Sequence, residues 1–271
     1  MEVLFTRYEG NAWEEYFLPR LSFKEVQEMD KENALIVLPI GAVEQHGSHL
    51  PLMTDSLIGE ASITKTMEYL TPDSNIWLIP PLSYGKSNEH LDFPGTISLS
   101  SANLQGVIID IARSLSRSGF RRLVLFNSHG GNIDLLNMVA REIHIETEMM
   151  VFITSSGSAD KSDIFTEEEL KWGIHGGDVE TSMIMAVKPS WVREEYLTAE
   201  FPPLKEFDYL SLKGKVRIAW KINDLSKSGI AGNATKATPK KGEIVFIRSA
   251  EEMAIALKEM AEFEIEQLLE D

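Results

Sequence analysis

The sequence has no cysteine. That absence excludes disulfide frameworks, thiolate zinc fingers, iron–sulfur clusters and cysteine nucleophiles, and leaves only nitrogen and oxygen donors for any metal. Long apolar runs are also missing. No stretch of ~18 apolar residues occurs, and residues 1–9 carry no uninterrupted hydrophobic segment of the kind found in secretion signals. Basic residues are scarce, with 26 Lys plus Arg against 42 Asp plus Glu and a formal charge of −16. Such a balance repels phosphate backbones and anionic lipid surfaces, so nucleic acid and membrane are not expected partners and a cytoplasmic location is expected. At 271 residues the chain can bury a sizeable core without covalent staples.

What is present is an alternation. Short apolar runs rich in β-branched residues, at 34–40, 76–82, 122–126 and 149–154, are separated by longer stretches of helical period. This pattern predicts an α/β fold with a largely parallel sheet and crossover helices. The helices are expected at 55–69, at 101–118 before Gly119, at 132–146 with Asn132 able to cap it, at 177–187 before Pro189, and at 250–269. The stretch 190–242, with its prolines and glycines, is the least regular; it reads as an elaboration of one domain spanning 1–271, with a small extra sheet around 216–220.

The polar residues are not evenly spread. The loops after the four predicted strands hold Glu44-Gln45-His46 with His49 and Asp55; Ser87 with His90; His129-Gly130-Gly131-Asn132; and His175-Gly176-Gly177-Asp178-Val179-Glu180. In a parallel sheet these loops emerge at one edge, so five of the six histidines are expected to converge on one crevice. Glu44 and His46, at i and i+2 of extended chain, point the same way and can reach a common centre. On residues alone the pair also fits a solvated loop, Asp55 a helix cap, and His129 a packed imidazole at a tight turn. Taken together, Glu44, His46, Asp55 and His129 form a donor set suited to Zn²⁺, Mn²⁺ or Fe²⁺ rather than to Ca²⁺ or Mg²⁺. The Gly-Gly pairs admit a phosphate cradle, but there is no GxxxxGK[ST] or GxGxxG and acidic residues stand beside them, which argues against nucleotide binding.

With these segments assembled, the chain resembles the creatininase family of metal-dependent amidohydrolases. The resemblance runs through residues 38–52, Thr54-Asp55, Phe93-Pro94-Gly95-Thr96, residues 127–132, residues 175–182 and, more faintly, residues 229–243. It implies a layered α/β/α fold, two divalent metal ions, a small-molecule substrate and a homohexamer. It makes Glu44, His46, Asp55 and His129 metal ligands, with Asp55 bridging two ions ~3.5–4 Å apart so that a water between them becomes a nucleophile near neutral pH. It makes His175 the acid–base group that passes a proton to the leaving nitrogen. One departure stands out. Creatinine-hydrolysing members have a glutamate ligand at the place of Gly131 and a tyrosine at that of Gly130. Glu180 is the expected replacement ligand, with a charged helix start as its other reading.

Further expectations attach to single residues. His49 is expected to support a ligand. Ser87 and His90 border the substrate, and Trp172, with Trp220, offers an aromatic wall over a flat amide or else packs. The expected activity is hydrolysis of a C–N bond in a cyclic amide, formamide or short peptide-like molecule, creatinine itself being less favoured. The rivals are a metal hydrolase of a keto-sugar C–C bond or a phosphoester, and a non-catalytic metal-binding relative. A phosphoesterase would want several Lys or Arg in these loops, where Lys86 stands alone.

Overall fold

The computed structural model describes residues 8–203, 207–212 and 216–269. Two short helices, α1 (Asn11–Glu15) and α2 (Phe23–Glu28), lead into strand β1 (Leu35–Ile40). Then follow α3 (Thr54–Met67), β2 (Ile76–Leu78), α4 (Ser101–Arg117), β3 (Arg122–Asn127), α5 (Ile133–Thr147) and β4 (Met150–Ser155). The four strands form one parallel sheet in the order β2-β1-β3-β4, as the alternation of apolar runs and helical periods predicted.

Side chains alternate across this sheet with period two. Ile36, Leu38 and Ile40 of β1 and Leu123 and Leu125 of β3 face α4 and α5, where Leu104, Ile108, Leu136 and Ile143 close the core. Leu35, Val37, Val124 and Phe126 face the other way, onto Ile63 and Met67 of α3 and onto Met253 and Leu257 further along the chain. Helices therefore cover both faces of the sheet.

Beyond β4 come α6 (Glu167–Trp172), α7 (Asp178–Val187), β5 (Ala199–Glu200), β6 (Leu210–Ser211), β7 (Val216–Arg217), α8 (Ile222–Leu225), β8 (Gly232–Asn233) and α9 (Pro239–Glu262). The small sheet expected at 216–220 is the two-residue parallel pair β6 and β7; β5 and β8 make an antiparallel pair. Leu50, Ile58, Met183, Ile184, Val245 and Phe246 fill a further core in which α7, α9 and α3 meet.

Three expectations shift. The run 76–82 is a strand only to Leu78, because Pro80 and Pro81 have no N–H to donate; Leu82 then rejoins β1, its N–H bonding the Pro39 carbonyl at 2.9 Å. The last helix begins eleven residues before position 250, with Thr238 capping Lys241 and Pro239 in the first turn, where its missing N–H costs nothing. Gly242 lies so close to α7 that a Cβ would overlap the Ser182 backbone, so this glycine marks a helix crossing rather than a break. Finally, Asn132 precedes α5 but makes no side-chain cap; its amide donates to the Gly41 carbonyl and Asn127 Oδ1 and accepts from the Lys86 N–H, tying three strand-end loops together.

At the opposite edge of the sheet, the buried Arg122 guanidinium binds the Glu32 carbonyl and the Glu264 carboxylate, which clips the segment after α9 to β3. Glu264→Ala leaves a buried cation with one neutral partner. It should cost about 1.5–3 kcal/mol in urea unfolding, the range for a hydrogen bond to a charged group.

Candidate metal centre

The order β2-β1-β3-β4 places a switch point between β1 and β3, from which the chain leaves toward opposite faces, α3 on one and α5 on the other. The loops that part there carry Glu44 and His46 after β1 and His129 after β3. Asp55 enters from the first turn of α3, whose N-cap is Met53 and which has no side-chain cap, so Asp55 does not serve as one. His90, His175 and Glu180 come from the loops after β2 and before and within α7.

These groups meet out of water. Glu44, His46, Asp55, His90, His129 and His175 are all buried, and Glu180 is partly so. Asp55 Oδ2 lies 3.7 Å from His46 Nε2 and 3.6 Å from His129 Nδ1. Glu44 reaches His129 at 3.3 Å, His90 at 3.5 Å and His175 at 3.6 Å, and Glu180 stands 3.8 Å from His46. Glu44–Asp55–His129 and His46–Asp55–Glu180 each bring one donor atom per residue within 4.8 Å of the others, and the two groups share Asp55. A further grouping joins Glu44 and His46 to His175.

The electrostatics are unusual for a salt-bridged cluster. Burial first, then the charges of Glu89 and Glu180, push the Glu44 carboxyl well above its ordinary range against a hydrogen bond from Ser87. Burial, then Glu44 and Glu180, do the same to Asp55. Burial holds His46 and His129 at about 4, His90 at about 3, and His175 well below its usual value. Glu44 Oε2, His46 Nε2 and Asp55 Oδ2 are buried with no hydrogen-bond partner. Neutral imidazoles and unpaired carboxylates facing one point are what a divalent cation needs, since ligands must give up their protons to bind it.

Backbone contacts set the imidazole tautomers of His46 and His129. His46 Nδ1 sits 3.1 Å from the Glu44 carbonyl, which can only accept, so Nε2 is bare and faces the acids. His129 Nε2 sits 3.0 Å from the Lys86 carbonyl, leaving Nδ1 bare toward Asp55.

Other expected residues separate. His49 is buried beside the site, its Nε2 2.9 Å from Thr181 Oγ1. Ser87 is fully buried, with its hydroxyl 3.3 Å from His129 Nε2, and so lies beneath the centre rather than along the cavity. The cavity over the centre, about 1020 Å³, is lined by His90, Glu89, Ile133, Arg217 and Trp220 among others; Trp172 is not among its lining residues, and Trp220 supplies the aromatic surface. Arg217 and Lys221 bring basic groups to this cavity beside Lys86, but they pair with Asp134 and Asp92.

Three acceptors escaped the sequence reading. Glu89 lines the cavity 3.9 Å from His129, and a Cβ on Gly131 would overlap its carboxylate, so the space over Gly131 is filled by an acid from another loop. Glu169 is a buried carboxylate that accepts from the Asp178 N–H at 2.7 Å and the Asn233 N–H at 2.9 Å. It clips the loop bearing His175 to β8, and a Cβ on Gly177 would overlap it. Glu200 accepts from the Ser226 and Ser228 hydroxyls and the Lys227 and Ser228 N–H groups, holding the turn that leads to Gly229.

Burial raises the Glu200 carboxyl, but these hydrogen bonds outweigh it and hold the group at about 2. A depressed folded-state value adds stability that is complete above the ordinary carboxylate range and fades as pH falls through it toward 2. The stability gap between the native protein and Glu200→Gln should therefore shrink over that acid window in equilibrium unfolding.

The creatinine amidohydrolase family model matches residues 19–257. The chain belongs to the creatininase family. This creatininase-family amidohydrolase is 29% identical over 265 residues to a creatinine amidohydrolase of Pseudomonas putida, covering 90% of the chain and 96% of that protein. It is 32% identical over 216 residues to a mycofactocin precursor peptide peptidase of Mycolicibacterium smegmatis, covering 78% and 79%. The solved structure of a manganese creatininase, 27% identical, superposes with a TM-score of 0.73 over 91% of this chain and 99% of that one. Among the described residues no helix is long and apolar enough to cross a membrane.

Proposed function

We propose that this amidohydrolase opens a C–N bond in a small polar, peptide-like or formamide-like molecule with the help of two divalent ions. The observation that carries the reading is the trio of buried donor atoms without partners, Glu44 Oε2, His46 Nε2 and Asp55 Oδ2, set within two donor groups that share Asp55. Glu44, Asp55 and His129 would hold one ion and His46, Asp55 and Glu180 the other, with Zn²⁺, Mn²⁺ or Fe²⁺ all suited to the donors. Bound there, such ions polarise a carbonyl and make water a nucleophile near neutral pH.

The protein's own groups do the rest. His175 is placed outside the shared-Asp55 groups, with Nδ1 3.6 Å from Glu44 Oε1 and the residue lining the cavity, and serves as the acid–base residue that receives a proton and passes it to the departing nitrogen. Glu89, His90 and Trp220 contact the substrate, and His49 ties the loop that carries the β1 ligands to α7. A cavity of about 1020 Å³ sits at the upper end of the range for drug-sized ligands, which favours a substrate larger than creatinine; the peptide named for the mycobacterial relatives points the same way. A homohexamer is part of the proposal.

The test is a panel of N-formyl compounds, cyclic amides and short peptides, read by release of primary amine. Turnover that chelator abolishes and Zn²⁺ or Mn²⁺ restores is expected for at least one class. Turnover that persists in the fully chelated protein would defeat the reading.

A further inference from the structure

Gln45 stands between the two β1 ligands, and its side chain turns away from them into a buried junction of four segments. Its Nε2 lies 2.8 Å from the Gly229 carbonyl, and its Oε1 accepts the Gly47 N–H at 2.9 Å. Both partners are backbone groups of fixed polarity, so the amide can face only one way. Gly229 is held at φ +82°, and a Cβ there would overlap Gln45 Oε1, so the glycine and the glutamine are matched.

Two imidazoles touch this junction. His175 Nε2 lies 2.6 Å from the Gln45 carbonyl, which can only accept; Nε2 therefore carries the proton and Nδ1 is bare. The 3.1 Å approach of Gln45 Nε2 to His175 Nε2 is then donor against donor and no hydrogen bond. The second amide proton of Gln45 is left for His90 Nδ1 at 2.9 Å, which fixes His90 with its proton on Nε2. The rings of His46, His175 and His90 form a column with 4.1 Å between successive centroids. Glu44 Oε1 lies 3.6 Å from the bare His175 Nδ1 and 3.5 Å from the His90 Nε2–H.

We propose that Gln45 is a positioning residue that fixes the tautomers of both neighbours, so that His175 offers a bare Nδ1 and His90 an Nε2–H on either side of one oxygen of Glu44. Its backbone carbonyl sets the first and its side-chain amide the second. Resting on the amidohydrolase reading, this supplies the reaction with one proton acceptor and one hydrogen-bond donor that cannot exchange roles. Neither role requires a change in protonation of the resting site.

Solid-state NMR of the zinc-loaded protein labelled with ¹⁵N,¹³C-histidine reads the tautomers directly, with His90→Asn and His175→Asn used to assign the rings. In the native protein both should be protonated at Nε2. Gln45→Leu should release His90 into a mixture of tautomers and leave His175 unchanged, because the carbonyl of residue 45 remains. Gln45→Glu puts an acceptor where the donor stood and should drive His90 toward Nδ1–H. On any substrate turned over, both variants should lower kcat about 10–100-fold, as for other residues that orient a metal site, with KM nearly constant.

A native spectrum showing His90 protonated at Nδ1 or His175 bare at Nε2 overturns the proposal, whether or not the variants fold. Unchanged His90 tautomers in both variants overturn it as well. Absence of turnover on every C–N substrate would count against the amidohydrolase reading alone, since the spectra decide the role of Gln45 independently.

Discussion

In the Asp55→Ala protein, bound metal should fall from about two divalent ions per chain to almost none, and hydrolysis should be lost with it, because both donor groups share this carboxylate. The companion Asp55→Asn gives a sharper result, a change of sign. Burial, Glu44 and Glu180 raise the Asp55 carboxyl well above its ordinary value of 3.8. A group raised in the folded state contributes stability below its unfolded value and loses it as pH rises through the folded one, so at neutral pH it burdens the metal-free fold. Chelated Asp55→Asn should therefore be more stable than the chelated native protein at pH 7. With metal present the order should reverse, since a ligand that binds only the folded state at a hundredfold excess over Kd adds about 2.7 kcal/mol. Thermal unfolding of both proteins with and without chelator checks this. Asp55→Asn that is less stable in both conditions would mean the carboxylate serves the fold rather than a cation.

The second large effect belongs to His175. His175→Asn should keep both ions and lose about 10²–10⁴-fold in kcat, the range for a positioned acid–base group, with KM little changed. Its Nε2–H is already committed to the Gln45 carbonyl, and among the described residues it joins a possible donor group with Glu44 and His46 but none with Asp55. Loss of one ion in this variant would reassign His175 as a ligand.

Much of this architecture is legible in the sequence because continuous apolar runs and strand-end chemistry are local signals. Leu35 to Ile40 and Arg122 to Asn127 are buried along their whole length, which is why 35–40 and 123–126 read as uninterrupted apolar runs. The segments after β1, β2, β3 and β4 gather His46, His49, His90, His129 and His175 at one edge, as a parallel sheet requires. Other features depend on contacts between distant segments. Nothing adjacent to Glu89 shows that it fills the space over Gly131, and Glu169 sits in an acidic run that looks like a solvated helix start, although it is buried against Gly177 and β8. Gln45 is an unremarked amide in the motif until Gly229, 184 residues away, gives it a partner. Ser87 and Trp172 show the converse: position in a promising loop did not say which side of it faces the cavity. Pro239 and Gly242 belong to the stretch that reads as irregular, yet Pro239 is a favoured residue at a helix start and Gly242 serves a helix crossing, a contact between distant segments.

The proposed role of the convergence of Glu44, His46, Asp55, His129 and Glu180 is to hold cations. Elemental analysis of protein purified without added metal tests it most directly. About two Zn²⁺, Mn²⁺ or Fe²⁺ ions per chain are expected, with chelation lowering thermal stability and resupply restoring it. Protein that carries no divalent ion, takes none up, and melts at the same temperature with and without chelator would contradict it.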